Sequence, residues 1–160
     1  MRVVVALLGC LLLTVPAHGA PRADTKAMTI RVVSVTVGSK MIVDKAPKGV
    51  PGVGDTVWAK SNLRNERSQF GKPKGALVGS EVAIFTFESA EVGDVGTVKV
   101  TTKLPGGTIQ ASDRRSYEGC CGTTSQVTGG TGVFAGARGA VSSTQLTPER
   151  HVKVYRLQLP

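Results

Sequence analysis

Between its glycines and prolines the chain is a succession of short runs rich in β-branched residues. They are MTIRVVSVTV (28–37), DTVWAK (55–60), ALVGSEVAIFTFES (76–89), GTVKVTTKL (96–104), GTIQASD (107–113), TTSQVT (123–128), GAVSSTQL (139–146) and HVKVYRLQL (151–159). The clearest is 97–104, where Val98, Val100, Thr102 and Leu104 alternate with Thr97, Lys99, Thr101 and Lys103, the period of a strand with one wet face. Val32 and Val33, or Ile84, Phe85 and Phe87, put apolar groups on both parities, which suits strands covered on both sides. Pro105-Gly106-Gly107 supplies a fixed φ followed by residues that accept positive φ, so 96–104 and 107–113 are predicted to pair as a hairpin.

Helical signal is thin. The segment 55–70 has Trp58 and Leu63 five apart and then a polar tail, SNLRNERSQ, which predicts a strand followed by a loop. Residues 44–54, DKAPKGVPGVG, read as a basic loop too short to link domains. About eight evenly spaced strands without an internal repeat point to an antiparallel sandwich or barrel, and closure into a barrel removes the exposed edges.

The opening MRVVVALLGCLLLTVPAHGA has one positive charge at Arg2, an apolar run from Val3 to Leu13, then Pro16 and small residues. That is the layout of a secretory signal peptide, with cleavage after Ala17, Gly19 or Ala20; the run is too short for a membrane span, which needs roughly 20 residues. Leu8-Gly9-Cys10 is faintly similar to a lipoprotein box, but apolar residues continue beyond it. The expectation is a leader over 1–20 and one domain over 21–160, secreted to a periplasmic or extracellular space, with no membrane span.

Charge narrows the picture. Without Arg2 the chain keeps 19 Lys and Arg against 11 acids. Eleven of the basic residues fall between Arg22 and Lys74, where only Asp24, Asp44, Asp55 and Glu66 oppose them. Such a field suits anionic polymers or surfaces. With aromatic content at 4% stacking platforms for nucleic acid are not evident, and no nucleic-acid partner is expected. Cys120 and Cys121 are adjacent, closer than an ordinary disulfide prefers; a strained vicinal disulfide, intermolecular bridges or two thiols remain open. With His151 the sole histidine beyond the leader, ligands at metal spacing are lacking, so neither metal nor cofactor is expected.

TGGTGVFAGARGAV (128–141) concentrates five glycines in fourteen positions. Gly130-x-Gly132-x-x-Ala135 formally fits a dinucleotide fingerprint, yet Gly136 and Gly139 would interrupt the helix that such a site needs, and no Gly-Lys-Ser/Thr follows. The better reading is a structural turn at Gly129, Gly130, Gly132, Gly136 and Gly139 that lets strands approach closely, with Phe134 plugging one end of the core.

The segment VTGGTGVFAGARGAV, together with GTVKVTTKLPGGTI, VGDTVWAKSNLRN and FGKPKGALVG, resembles the dirigent and allene oxide cyclase superfamily, including its bacterial secreted members. The resemblance spans roughly Thr29 to Leu159. It implies an all-β fold, an eight-stranded antiparallel β-barrel with a central cavity, a trimer in plant members, and a pocket that steers radical coupling or ring closure of a small apolar molecule. Carried over residue by residue, Arg138 matches the motif arginine, to hold a ligand or to brace the corner, and Phe134 is a weak ligand contact. Where plant dirigent proteins carry an Asp-rich segment this chain reads Ser61-Asn62-Leu63, which puts dirigent-type acid chemistry in doubt.

Candidate catalytic groups are Glu81, Glu88, Asp113 and Tyr155, any of which could stand inside a cavity where burial raises a carboxyl pKa, the alternative for each being surface or barrel rim. His151 reads as an exposed strand end. Two functions compete: a secreted pocket protein for a small apolar ligand, isomerase- or cyclase-like or stereochemistry-directing if it is an enzyme, and a non-catalytic basic envelope protein that binds anionic polymers or surfaces.

Overall fold

The computed structural model describes residues 25–45, 52–89, 95–117 and 122–160. The leader and the pair Cys120 and Cys121 lie outside them. Eight strands run β1 (Lys26–Val43), β2 (Thr56–Asn65), β3 (Leu77–Phe87), β4 (Val95–Leu104), β5 (Gly107–Ser116), β6 (Thr123–Gly130), β7 (Arg138–Thr147) and β8 (Arg150–Leu159). Each pairs antiparallel with its sequence neighbour, and β1 pairs with β8 to close an eight-stranded barrel. The predicted hairpin forms at Leu104↔Gly107, with Gly106 at φ 95° as the turn demands.

Two boundaries depart from the sequence expectation. The first strand does not stop near Val37: it passes Gly38 through a register shift between Thr36 and Gly38 and pairs on to Val43↔Thr56. A β-bulge absorbs the extra residue and re-aims the strand. The polar tail after Lys60 is also strand as far as Asn65, because Ser61, Leu63 and Asn65 turn inward while Asn62 and Arg64 face out. Pairing on both sides overrides weak local propensity.

One end of the barrel is filled. Leu63, Leu104, Ile109, Phe134, Leu157 and Leu159 are buried there, each burial of this kind contributing about 1.5–3 kcal/mol. The glycine-rich connection makes the stopper: a single 3-10 turn, Gly132–Phe134, starts at Gly132 with φ 62° and drives the Phe134 ring inward at 1% exposure. A second tight turn assists. Phe70 and Gly71 take φ 54° and 66° between the bridged Gln69 and Lys72, a left-handed pair that a phenylalanine seldom adopts. The buried Asn65 amide stabilises it by donating to the carbonyls of Gln69 (2.9 Å) and Lys72 (3.0 Å), and Phe70 packs on the core.

Candidate functional site

The opposite end of the barrel holds a pocket of about 230 Å³. Strand parity determines what faces it. On β8 the inward parity carries His151, Lys153, Tyr155, Leu157 and Leu159, and on β3 it carries Glu81, Ala83, Phe85 and Phe87. Moving from the plug toward the open end, the interior therefore changes from leucine to tyrosine and then to charge. Small side chains at the upper level, Ser34, Thr36, Ala59, Ser61 and Ala83, leave the space that the larger plug residues fill below.

At the pocket floor Glu81 is 4% exposed and fully engaged. Its Oε2 accepts hydrogen bonds from Thr102 Oγ1 (3.1 Å) and from Tyr155 Oη (3.1 Å), and its Oε1 forms an ion pair with Lys153 Nζ. Thr102 and Tyr155 are themselves 3.0 Å apart. A buried carboxylate with one cation and two hydroxyl donors has its desolvation cost offset. Glu81 thus fixes an ammonium at the pocket surface and a phenol beneath it.

Tyr155 is enclosed at 1% exposure and does not itself line the pocket. Burial, and then the charge of Glu81, push its pKa well above the ordinary tyrosine value. Because the folded-state pKa is raised, the phenol's contribution to stability is complete below about pH 10 and is lost as pH rises from there, at up to about 1.4 kcal/mol per pH unit. In an alkaline absorbance titration one of the two tyrosines is expected to ionise only as the barrel unfolds. Tyr155→Phe should remove that late step, and a phenolate signal from the folded protein at the position of free tyrosine would contradict it.

The upper wall carries His151 and Arg115. Burial first and the Lys153 charge next lower the His151 pKa, with Arg115 adding to this and Glu81 opposing; the imidazole is neutral at pH 7. His151 is thus a half-buried pocket residue rather than an exposed strand end, because its pairing with Ser34 on β1 and Gln145 on β7 places it on the inner parity. Arg115 Nη1 stands 3.7 Å from Asp113 Oδ2, whose carboxylate also meets Ser125 Oγ at 3.4 Å. Phe85, Phe87 and Tyr117 form an aromatic cluster with ring centroids 4.9–5.1 Å apart, and Tyr117 reaches the pocket lip.

Of the candidates from the sequence, the structure brings Glu81 and Tyr155 together, with Asp113 beside Arg115. Glu88 is at the rim, bonded by Thr97 and paired with Arg114 at 2.7 Å; those hydrogen bonds lower its pKa. Arg138 is exposed on β7 at the plugged end, and Phe134 belongs to the plug; neither lines the pocket. Gly129 and Gly130 end β6, Gly136 (φ 71°) follows the 3-10 turn, and Gly139 (φ 129°) lies at the start of β7. Lys153 and Arg115 were absent from the candidates, although a readable signal existed. Both share parity with apolar neighbours that must face inward, Leu157 and Leu159 in one case, Ile109 and Ala111 in the other.

Among the described residues no group of three or more His, Cys, Asp or Glu could hold a metal ion, and no helix is long and apolar enough to cross a membrane.

No family model and no curated protein matches the chain. Solved structures do match. A pyocyanin demethylase is 22% identical with a TM-score of 0.65, over 81% of this chain and 99% of that one. The exo-specific intermolecular Diels-Alderase AbnU is 16% identical (TM-score 0.60; 83% and 98% covered), and the pterocarpan synthase dirigent protein PsPTS1 is 16% identical (TM-score 0.62; 84% and 94% covered). The fold is that of the dirigent and cyclase-like barrels, as the resemblance of the sequence implies.

Proposed function

We propose that this chain is an exported barrel that takes a small molecule into its open end and steers a cyclisation or coupling there by confinement. The observation that carries the reading is the asymmetry of the interior. One end is plugged by Phe134 and leucines, while the other holds a pocket whose floor fixes Lys153 on the buried Glu81. Holding a flexible guest in one folded conformer removes much of the entropic part of a cyclisation barrier. An ammonium positioned by a buried carboxylate stabilises oxygen-centred negative charge as it develops, without rearranging when the reaction occurs. The fold shared with a Diels-Alderase and a dirigent protein supports the class of reaction, and the apolar part of the guest meets Ala59, Ala83 and Tyr117.

The test compares the protein exported from its host with the variant Ala83→Phe, which fills the pocket from an inward position without disturbing the charged floor. Native mass spectra of both are recorded, followed by denatured masses. The expected result is a small molecule that leaves the wild type only on denaturation and is missing from a folded Ala83→Phe. A wild type that is empty, and stays empty when challenged with small cyclic and acyclic ligands, would overturn the reading.

A further inference from the structure

Among the described residues, two cations at the pocket keep hydrogen-bond donors that no protein group takes up, and we propose that its guest carries a carboxylate, held between Lys153 and Arg115. This rests on the pocket reading above and names the chemical class of what binds.

Among the described lining residues Lys153 and Arg115 are the cations and Glu81 is the acid. The ammonium of Lys153 offers three N–H donors, of which Glu81 takes one. The guanidinium of Arg115 offers five; its approach to Asp113 at 3.7 Å exceeds hydrogen-bonding distance, and Asp113 does not line the pocket. Among the described residues, therefore, one cation has spare donors and the other makes no hydrogen bond, both on one concave surface. The His151 pKa is lowered by burial first and then by Lys153, with Glu81 opposing and Arg115 adding to the lowering, so both cations act on the same pocket wall. Ser34, Ser61 and Ser143 line the same pocket. A planar guanidinium matches a carboxylate bidentately and an ammonium adds a point charge, whereas a neutral guest would leave these cationic donors to water.

Binding is measured by calorimetry for acetate, benzoate, cinnamate and octanoate, each against its primary amide, on wild type, Arg115→Gln and Arg115→Lys. Arg115 is 30% exposed and only loosely paired, so its replacement leaves the Glu81 floor intact. The expected result is at least one acid bound tenfold or more tighter than its amide, with that preference reduced about tenfold or more in Arg115→Gln and partly restored in Arg115→Lys. If amides bind as well as acids, or Arg115→Gln keeps the preference, the carboxylate inference is overturned while the pocket reading stands. If no acid and no amide binds, the carboxylate inference is overturned as well. The pocket reading is then decided separately by the retained-molecule experiment with Ala83→Phe.

Discussion

Replacing Glu81 by alanine is expected to destabilise the barrel by about 3 kcal/mol or more, the loss typical when one partner of a buried ion pair is removed. Lys153 is left 14% exposed with its charge uncompensated, and Tyr155 Oη and Thr102 Oγ1 lose their shared acceptor, keeping only each other at 3.0 Å. The cost arises from what remains behind, so removing both charges should cost less than the two single changes combined. Urea unfolding of Glu81→Ala, Lys153→Ala and the double variant measures this as a coupling energy. Additive losses within about 0.5 kcal/mol would show that the pair is not coupled. Glu88→Ala provides the contrast: its carboxylate is exposed at the rim, and surface pairs contribute about 0–1 kcal/mol.

Gly139→Ala is expected to be as damaging, for a reason unrelated to charge. At φ 129° the backbone is in a region that L side chains rarely adopt, and a Cβ there would stand 2.0 Å from the carbonyl oxygen of Arg156. That oxygen belongs to the backbone of β8, to which β7 is paired through Gly139↔Leu157, so the two strands would have to separate. Strain of about 1–3 kcal/mol and overpacking of about 1–3 kcal/mol act together, predicting a fall in Tm of roughly 10 °C or more. Gly38→Ala is the control: a Cβ there meets nothing within 4 Å, and its Tm should move by less than a few degrees. Equal melting temperatures for Gly139→Ala and wild type would remove close strand approach as the reason for that glycine.

Much of the architecture was legible from local pattern. Alternation at 97–104 and the Pro105-Gly106 turn required a hairpin, and the even spacing of runs required many short strands. The extents of β1 and β2 were not legible. Continuation through Gly38 depends on a bulge, and the strand character of Ser61–Asn65 depends on partners in β1 and β3, which local propensity does not report. The site was half legible. Glu81 on the inner parity with Phe85 and Phe87, and Tyr155 with Leu157 and Leu159, follow from a period of two. His151 and Lys153 obey the same rule, but a charged residue at a strand end satisfies either face until a partner is known.

The sequence by itself thus determined the all-β class, about eight strands and, where apolar and polar residues alternate cleanly as at 97–104, the side of the sheet that each residue takes, because the pleat alternates wherever no bulge interrupts it. Only the tertiary structure decided the level along the barrel axis at which each inward residue meets those of other strands. That level comes from register and bulges, set by hydrogen bonds between segments far apart in the chain, and it brings Glu81 to Lys153 across 72 residues and places Phe134 in the stopper. Which end is filled and which is open, and hence where chemistry can take place, is a property of that alignment.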